Sequence, residues 1–454
     1  MTRARKRERR WNRVVGGRGL RLLLAALVSG ALLSLSAASA GAATFRHNPI
    51  LFVHGIEGTG AQFESQAMRF DSNGYPANWI DEVDYNSSRA VGDKSEVDQQ
   101  IDEAIAALKQ RTGRSQVDVV AHSLGTSVMY DYLTNGAKAA ERKANVGHYV
   151  NVDGQSSNPG VPTLAVWAGR GTPGRSMEGA QNVTIPDQTH VQTCTSAESF
   201  IQYFQFLRGF APRKDIGRQN VIEVAGRALD FPVNTGLQGS TVQVWPVSSN
   251  GVRTTTTPLS SIEITDGSEG GGAWGPVVVK KKQRYEFTIV QSGQPTLHIY
   301  YEPFVRSDYT LRLLASPAIQ QYTGNRTGSS GAVSIRYKEF WGDQPGESDQ
   351  LLINGLNIAT PELTPATKQV NAYFAYDRNR DGQTDLSEDP VLGALPFIQG
   401  ADVFIPSSLT HDGTTAYQLI SRGDGATRSL NAPNWDALTD QVELQWNDYE
   451  KLTF

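Results

Sequence analysis

Nine residues constrain the chain more than any other stretch: Val117-Asp118-Val119-Val120-Ala121-His122-Ser123-Leu124-Gly125. A mostly apolar, β-branched run ends in Ala-His-Ser-x-Gly, and helical spacing follows from Thr126 to Leu133 until Asn135-Gly136 stops it. A strand that turns at once into a helix needs small residues at the corner, because bulk at Ala121 or Gly125 would force the two elements apart. Ala121 stands where the common form of this turn has glycine. The serine at such a corner exposes its hydroxyl, so Ser123 is the candidate nucleophile. The Leu124 backbone N–H then points to where negative charge develops on a substrate oxygen. Asp118 lies near the other end of the strand and reads as structural.

The surroundings agree with that corner. From Asn48 to about Arg213, short apolar runs alternate with helical periodicity, the pattern of a largely parallel sheet. Strands are expected at Ile50–Val53, Val117–Val120, Tyr149–Val152, Thr163–Trp167 and Val183–Ile185, and helices at Ser95–Leu108, Thr126–Leu133 and Ser196–Leu207. Ser95 is the expected cap of its helix and Gly113 its stop. The fold class is therefore α/β, with an α/β-hydrolase domain over residues 44–213. Beyond Pro212 the period shortens to two at Thr241–Trp245, Arg284–Val290, Thr296–Tyr301 and Tyr309–Leu313, split by Gly, Ser and Asn turns. One or two all-β modules, sandwich or barrel, are expected at 214–316 and 317–454, with Thr323–Gly331 as the linker between them.

The other catalytic parts follow from position. Leu51-Phe52-Val53-His54-Gly55-Ile56 ends the first strand with His-Gly, which makes the Ile56 N–H the second oxyanion donor. Of seven histidines, His47 precedes the first strand, His148 opens another, His54 and His122 are motif positions, and His298 and His411 lie in the β half. His190 follows the last strand of the α/β part and precedes its final helix, the place of this fold's general base. Thr163–Trp167 has no acid until Glu178, whereas Val150-Asn151-Val152-Asp153-Gly154 carries one at a strand's carboxyl end. Asp153 is the candidate acid, ahead of Asp187 and Glu178, and the order Ser, Asp, His matches that of the fold. Cys194 reads as a buried packing residue and, as the one cysteine, excludes an internal disulfide.

Several motifs resemble the archaeal lipase/carboxylesterase family that carries a C-terminal lipid-binding β domain. They are Leu51–Gly55, Gln62-Phe63-Glu64-Ser65-Gln66, Asn73-Gly74-Tyr75-Pro76-Ala77, Pro162-Thr163-Leu164-Ala165-Val166 and Thr189–Ser196. The similarity spans most of residues 49–210 and continues weakly through Pro303-Phe304-Val305-Arg306. It implies hydrolysis of carboxylic esters, commonly acylglycerols, and places the acid at Asp153, where the family has the aspartate of a Leu-Asp-Gly strand end. Two departures stand out. Ala121 replaces the family's glycine, and the nine residues Asn86–Lys94 leave no room for the family's helical lid. A polyester or cutin depolymerase gripping its substrate with the β modules, and a non-catalytic surface-binding protein with a degenerate hydrolase domain, are the rival readings.

Asp377-Arg378-Asn379-Arg380-Asp381-Gly382-Gln383-Thr384-Asp385-Leu386-Ser387-Glu388 fits a twelve-residue calcium loop. Asp377, Asn379, Asp381, Asp385 and Glu388 supply side-chain oxygens, Gln383 a backbone carbonyl, and Gly382 the sharp turn. No cofactor is expected for catalysis itself, and the calcium would be structural. Residues 1–40 read as a signal peptide: basic residues to Arg21, an apolar run Leu22–Ala37, then Ala38-Ser39-Ala40. Its loss would leave a secreted protein without a stable membrane span. It would also remove nine Lys/Arg and one acid, leaving 33 basic and 45 acidic residues, a net charge of −12. So acidic a chain is a poor partner for nucleic acid. An ester or lipid substrate, taken from an interface, is the expected partner.

Overall fold

The computed structural model describes residues 45–344, 346–422, 425 and 427–448. The proposed signal peptide lies outside them. Six strands form one fully parallel sheet: β1 (Ile50–Val53), β2 (Ile80–Val83), β3 (Val117–His122), β4 (Val146–Val152), β5 (Thr163–Ala168) and β6 (Gln181–Ile185), in the order β2-β1-β3-β4-β5-β6. The helices α1 (Glu64–Ser72), α2 (Ser95–Thr112), α3 (Leu124–Thr134) and α4 (Ala197–Arg208) accompany it. Strands β1, β3 and β5 are buried along their whole length, which is why they read as continuous apolar runs. Val97, Ile101, Ile105 and Leu108 of α2 bury one stripe against Leu51, Val119 and Val128.

Most helix ends obey local chemistry. Gly113 and Gly209 close α2 and α4 in the left-handed region, and the Ser196 hydroxyl caps α4 by accepting the Ser199 N–H. Ser95 does not cap α2. Lys94 holds that position, Ser95 is the first helical residue, and its N–H goes to the Asp93 carboxylate. The connection from β2 to α2 contains a single helical turn, Ser87–Ala90.

The β half contains β7 (Ile222–Asp230), β8 (Thr241–Val247), β9 (Ser260–Glu263), β10 (Ala273–Val279), β11 (Arg284–Val290), β12 (Thr296–Tyr301), β13 (Asp308–Ala315), β14 (Gly331–Phe340), β15 (Val370–Tyr376), β16 (Ile398–Asp402) and β17 (Asp440–Gln445). Eight of these make a mixed sheet ordered β9-β8-β11-β12-β17-β14-β15-β16, and β10-β7-β13 face it in a smaller one. The late strand β17 lies between β12 and β14, parallel to both. The regions on either side of Thr323–Gly331 therefore share one sheet while keeping separate apolar cores, around Phe287 and Ile299 and around Tyr373 and Leu444. Pro317–Thr323, ahead of that stretch, is helical.

Buried charge ties this half to the parallel sheet. Arg312 of β13 is 1% exposed and pairs with the equally buried Asp84 just past β2, which also accepts the Gly60 N–H. Breaking one partner of such a pair leaves an uncompensated buried charge, at a cost of about 3–5 kcal/mol.

Candidate active site

The turn from β3 into α3 carries Ser123 at φ 53°, ψ −122°. A non-glycine residue at such angles is strained by about 1–3 kcal/mol and persists only where its neighbours over-determine it. Here they do. The Ser123 N–H is held by the Val152 carbonyl at 3.1 Å, and its own carbonyl accepts from the Thr126 N–H and hydroxyl at 3.0 and 2.6 Å. The small residues are dictated by contact: a Cβ on Gly125 would stand 2.4 Å from the His54 carbonyl oxygen and 2.6 Å from that of Val53. On Gly55 it would meet the Ser123 Cβ at 3.0 Å.

The β1 loop is pinned residue by residue. Its Gly55 N–H goes to Gln62 Oε1 at 3.1 Å and its Glu57 N–H to Ser87 Oγ at 2.8 Å. Between them the Ile56 N–H has no protein acceptor among the described residues, and neither has the Leu124 N–H at the start of α3. Both expected oxyanion donors are thus free. His54 serves the loop from beneath. Its Nδ1 donates to the Gly55 carbonyl at 2.7 Å, its Nε2 accepts the Tyr85 N–H at 3.2 Å, and its ring stacks on Tyr85. Burial pushes its imidazole down to about 4, so the ring is neutral.

His190 stands on the loop after β6, and its Nδ1 bonds Asp153 Oδ2 at 2.7 Å. Asp153 directly follows β4, at φ 45°, and is buried. Burial alone would raise its carboxyl. The hydrogen bond from His190, that from the Ala168 N–H at 3.1 Å and the charge of Arg175 outweigh burial and hold it below the ordinary carboxylate range. Glu178 and Asp187, the alternative acids, are both exposed. No hydrogen bond joins Ser123 to His190 among the described residues. Such bonds often tighten only once substrate is present. His190 is further held by its backbone: its carbonyl accepts from His122 Nε2 at 2.9 Å and from Thr193 Oγ1 at 2.8 Å.

Three parts of this arrangement were not legible in the sequence. Arg175 bonds Asp153 from a Gly-rich loop and lies over the Trp167 ring. His122 braces the histidine loop. Asn234, buried at φ 58°, donates to the carbonyls of Gly58 and Tyr85. Arg175 and Asn234 lie in loops without periodicity, and His122 ends β3 with no sign in the chain of which loop it will meet. His148 bonds Asp118 at the amino end of the sheet, His298 is enclosed by Glu286 and Asp440, and Cys194 is a buried free thiol.

The 377–388 loop adopts its sharp turn, with Gly382 at φ 71°. Asn379, Asp381 and Asp385 each accept a backbone N–H within it, from Asp381, Gln383 and Ser387 respectively. Glu388 bonds Gln399 instead. Among the described residues no group of three or more His, Cys, Asp and Glu side chains is gathered to hold a metal ion. Asp377 Oδ1 and, from β16, Asp402 Oδ1 are nevertheless buried without a partner. Burial, with the charges of Asp385 and Asp377, pushes the Asp402 carboxyl up.

Residues 47–227 match the family model for lipase (class 2), residues 220–318 that for the lipase C-terminal domain, and residues 318–450 a model described as a C-terminal domain. No curated protein matches the chain. Among solved structures, lipase B of Aspergillus fumigatus is similar at 12% identity over 38% of this chain and 55% of its own, with a TM-score of 0.30. A hydrolase of Thermoplasma acidophilum is similar at 14% over 37% and 88%, TM-score 0.27. Phospholipase PlaB of Legionella pneumophila is similar at 9% over 60% and 93%, TM-score 0.26.

Proposed function

We propose that this chain, a lipase-like α/β-hydrolase, cleaves carboxylic esters through Ser123, His190 and Asp153. One observation carries the reading: the strained Ser123 corner packs against Gly55 of the β1 loop, on the same edge of the sheet as the His190–Asp153 bond, and the Ile56 and Leu124 N–H groups have no acceptor among the described residues. The Ser123 hydroxyl attacks the ester carbonyl while His190 Nε2 takes its proton. Asp153 keeps the Nδ1–H in place and stabilises the imidazolium. The N–H groups of Ile56 and Leu124 hold the oxyanion, and His190 returns the proton to the leaving alcohol. Water then releases the acyl group from Ser123 by the same route. A cavity of about 130 Å³ adjoins the site through Ile56 and Val191, the latter next to His190 in the chain, with Leu297, Ile319, Val333 and Phe374 of the β half as apolar wall; Ser123 and His190 do not themselves line it, and an acyl chain leaving them would suit it. Ser123→Ala should abolish hydrolysis of a p-nitrophenyl ester with the fold intact, and retained turnover would overturn the reading.

Export by the leader of residues 1–40 is part of the same proposal. So is a structural calcium ion in the 377–388 loop. Its support is the two buried, unpartnered Oδ1 atoms of Asp377 and Asp402, which a cation would satisfy, although the other Asp402 oxygen already has Arg378 at 4.0 Å. Asp402 then takes the part that spacing had given to Glu388.

A further inference from the structure

The loop that carries His190 is also held from 150 residues further along the chain. Thr189, the residue before the base, donates its hydroxyl to Glu339 Oε1 at 2.5 Å and accepts the Gln192 N–H at 3.2 Å, so both of its capacities are used. Glu339 is fully buried near the end of β14 at φ 70°, where pairing with β15 breaks between Ile335 and Phe340. Irregularities of this kind re-aim a side chain, and a buried, strained glutamate is kept only where its surroundings enforce it. The enforcing contacts are present. Trp341 Nε1 donates to the same Oε1 at 2.6 Å, and Arg422 Nη1 donates to the Glu339 carbonyl at 2.8 Å. Arg422 in turn pairs with buried Asp349 and lies over the Trp341 ring. A second brace runs beside it: Arg170, two residues past β5, also lies over the Trp341 ring and bonds Gln344 and Glu347.

Nothing in ester hydrolysis by the parallel-sheet domain requires a buried carboxylate from the C-terminal region at this point. Its one hydrogen bond to the α/β part among the described residues falls on the residue adjoining His190. We propose that Glu339, acting through Thr189, is a positioning residue for His190, so that the C-terminal β region completes the active site. This rests on the reading of His190 as general base.

The test uses the full chain and p-nitrophenyl butyrate. Thr189→Val should lower kcat by about 10- to 100-fold, the penalty of displacing a catalytic group by a fraction of an ångström to 1 Å. KM should stay within about twofold, and the melting temperature should fall by only a few degrees, the cost of one lost bond to a carboxylate that Trp341 still holds. Thr189→Ser, which keeps the hydroxyl, should restore kcat. Glu339→Gln, whose amide oxygen can accept both bonds, should stay close to the parent, and Glu339→Asp, with a shorter reach, should fall with Thr189→Val. A kcat for Thr189→Val and Glu339→Asp within twofold of the parent overturns the proposal. So does a loss that follows the melting temperature instead of the hydroxyl. Ser123→Ala, run alongside, separates the two failures: activity in that variant removes the general-base reading itself, whereas an inactive Ser123→Ala with an unimpaired Thr189→Val removes only the positioning role.

Discussion

Replacing Asp153 by Asn should cost about four orders of magnitude in kcat, and the reason lies in how many donors meet each carboxylate oxygen. Oδ1 accepts from the Ala168 N–H at 3.1 Å and from Arg175 at 3.0 Å, whereas among the described residues Oδ2 accepts only from His190, at 2.7 Å. An asparagine must choose. Turning its NH2 toward Ala168 and Arg175 would set it against two donors, each left unsatisfied at about 1–3 kcal/mol. The amide oxygen therefore stays on that side and the NH2 faces His190. An NH2 group donates to Nδ1, which leaves the imidazole proton on Nε2, where it cannot accept the serine proton. The same wrong-tautomer substitution lowers kcat about 10⁴-fold in a serine protease, equivalent to roughly 5.5 kcal/mol in the barrier. Asparagine tolerates the φ of 45° at this position, so the fold should survive. The assay is p-nitrophenyl butyrate hydrolysis at pH 8, with circular dichroism as the folding control. Loss of less than about tenfold, or an equal loss in Glu178→Gln or Asp187→Asn, would refute the reasoning.

Three further outcomes follow from the same geometry. Gly125→Ala places a Cβ 2.4 Å from a backbone carbonyl oxygen that no rotamer change can move, so it should destabilise by about 1–3 kcal/mol in urea titration and impair the elbow; wild-type stability would be contrary. His54 has an ordinary value of 6.5 and about 4 when folded, so the folded state binds fewer protons between these values; its stabilisation is present above pH 6.5 and is lost as pH falls toward 4. Unfolding free energies at pH 7.0 and 4.5 should reveal roughly 2–3 kcal/mol of this loss, and His54→Gln should lack that share of it. Calcium should raise the melting temperature of the parent; Asp402→Asn and Asp377→Asn should abolish the rise and Glu388→Gln should keep it, while an identical melting temperature in calcium and chelator would remove the ion from the account.

The parallel sheet was legible because β1, β3 and β5 are buried along their length and its helices are amphipathic: β1 ends where the apolar run ends, and α2 stops at Gly113. Helix α1 escaped because its buried face includes the polar Ser65, Gln66 and Arg69, the last two bonding the carbonyls of Cys194 and Thr195, which leaves a weak apolar period. The His190–Asp153 pair could be reached by elimination, since both lie at strand ends of a fold with a fixed order. Contacts such as Thr189 with Glu339 could not, because 150 residues of intervening chain erase any local signal. The shared β sheet was hidden for the same reason. Strand β17 closes it from the last residues of the described chain, and no period in the sequence states which strands it will lie between.

The most direct test of the central claim is covalent labelling with a fluorophosphonate, followed by peptide mass spectrometry. One label per chain, on the peptide that contains Ser123 and absent from Ser123→Ala, is the predicted result. A wild-type protein that hydrolyses esters yet stays unlabelled, or carries its label on another residue, would contradict it.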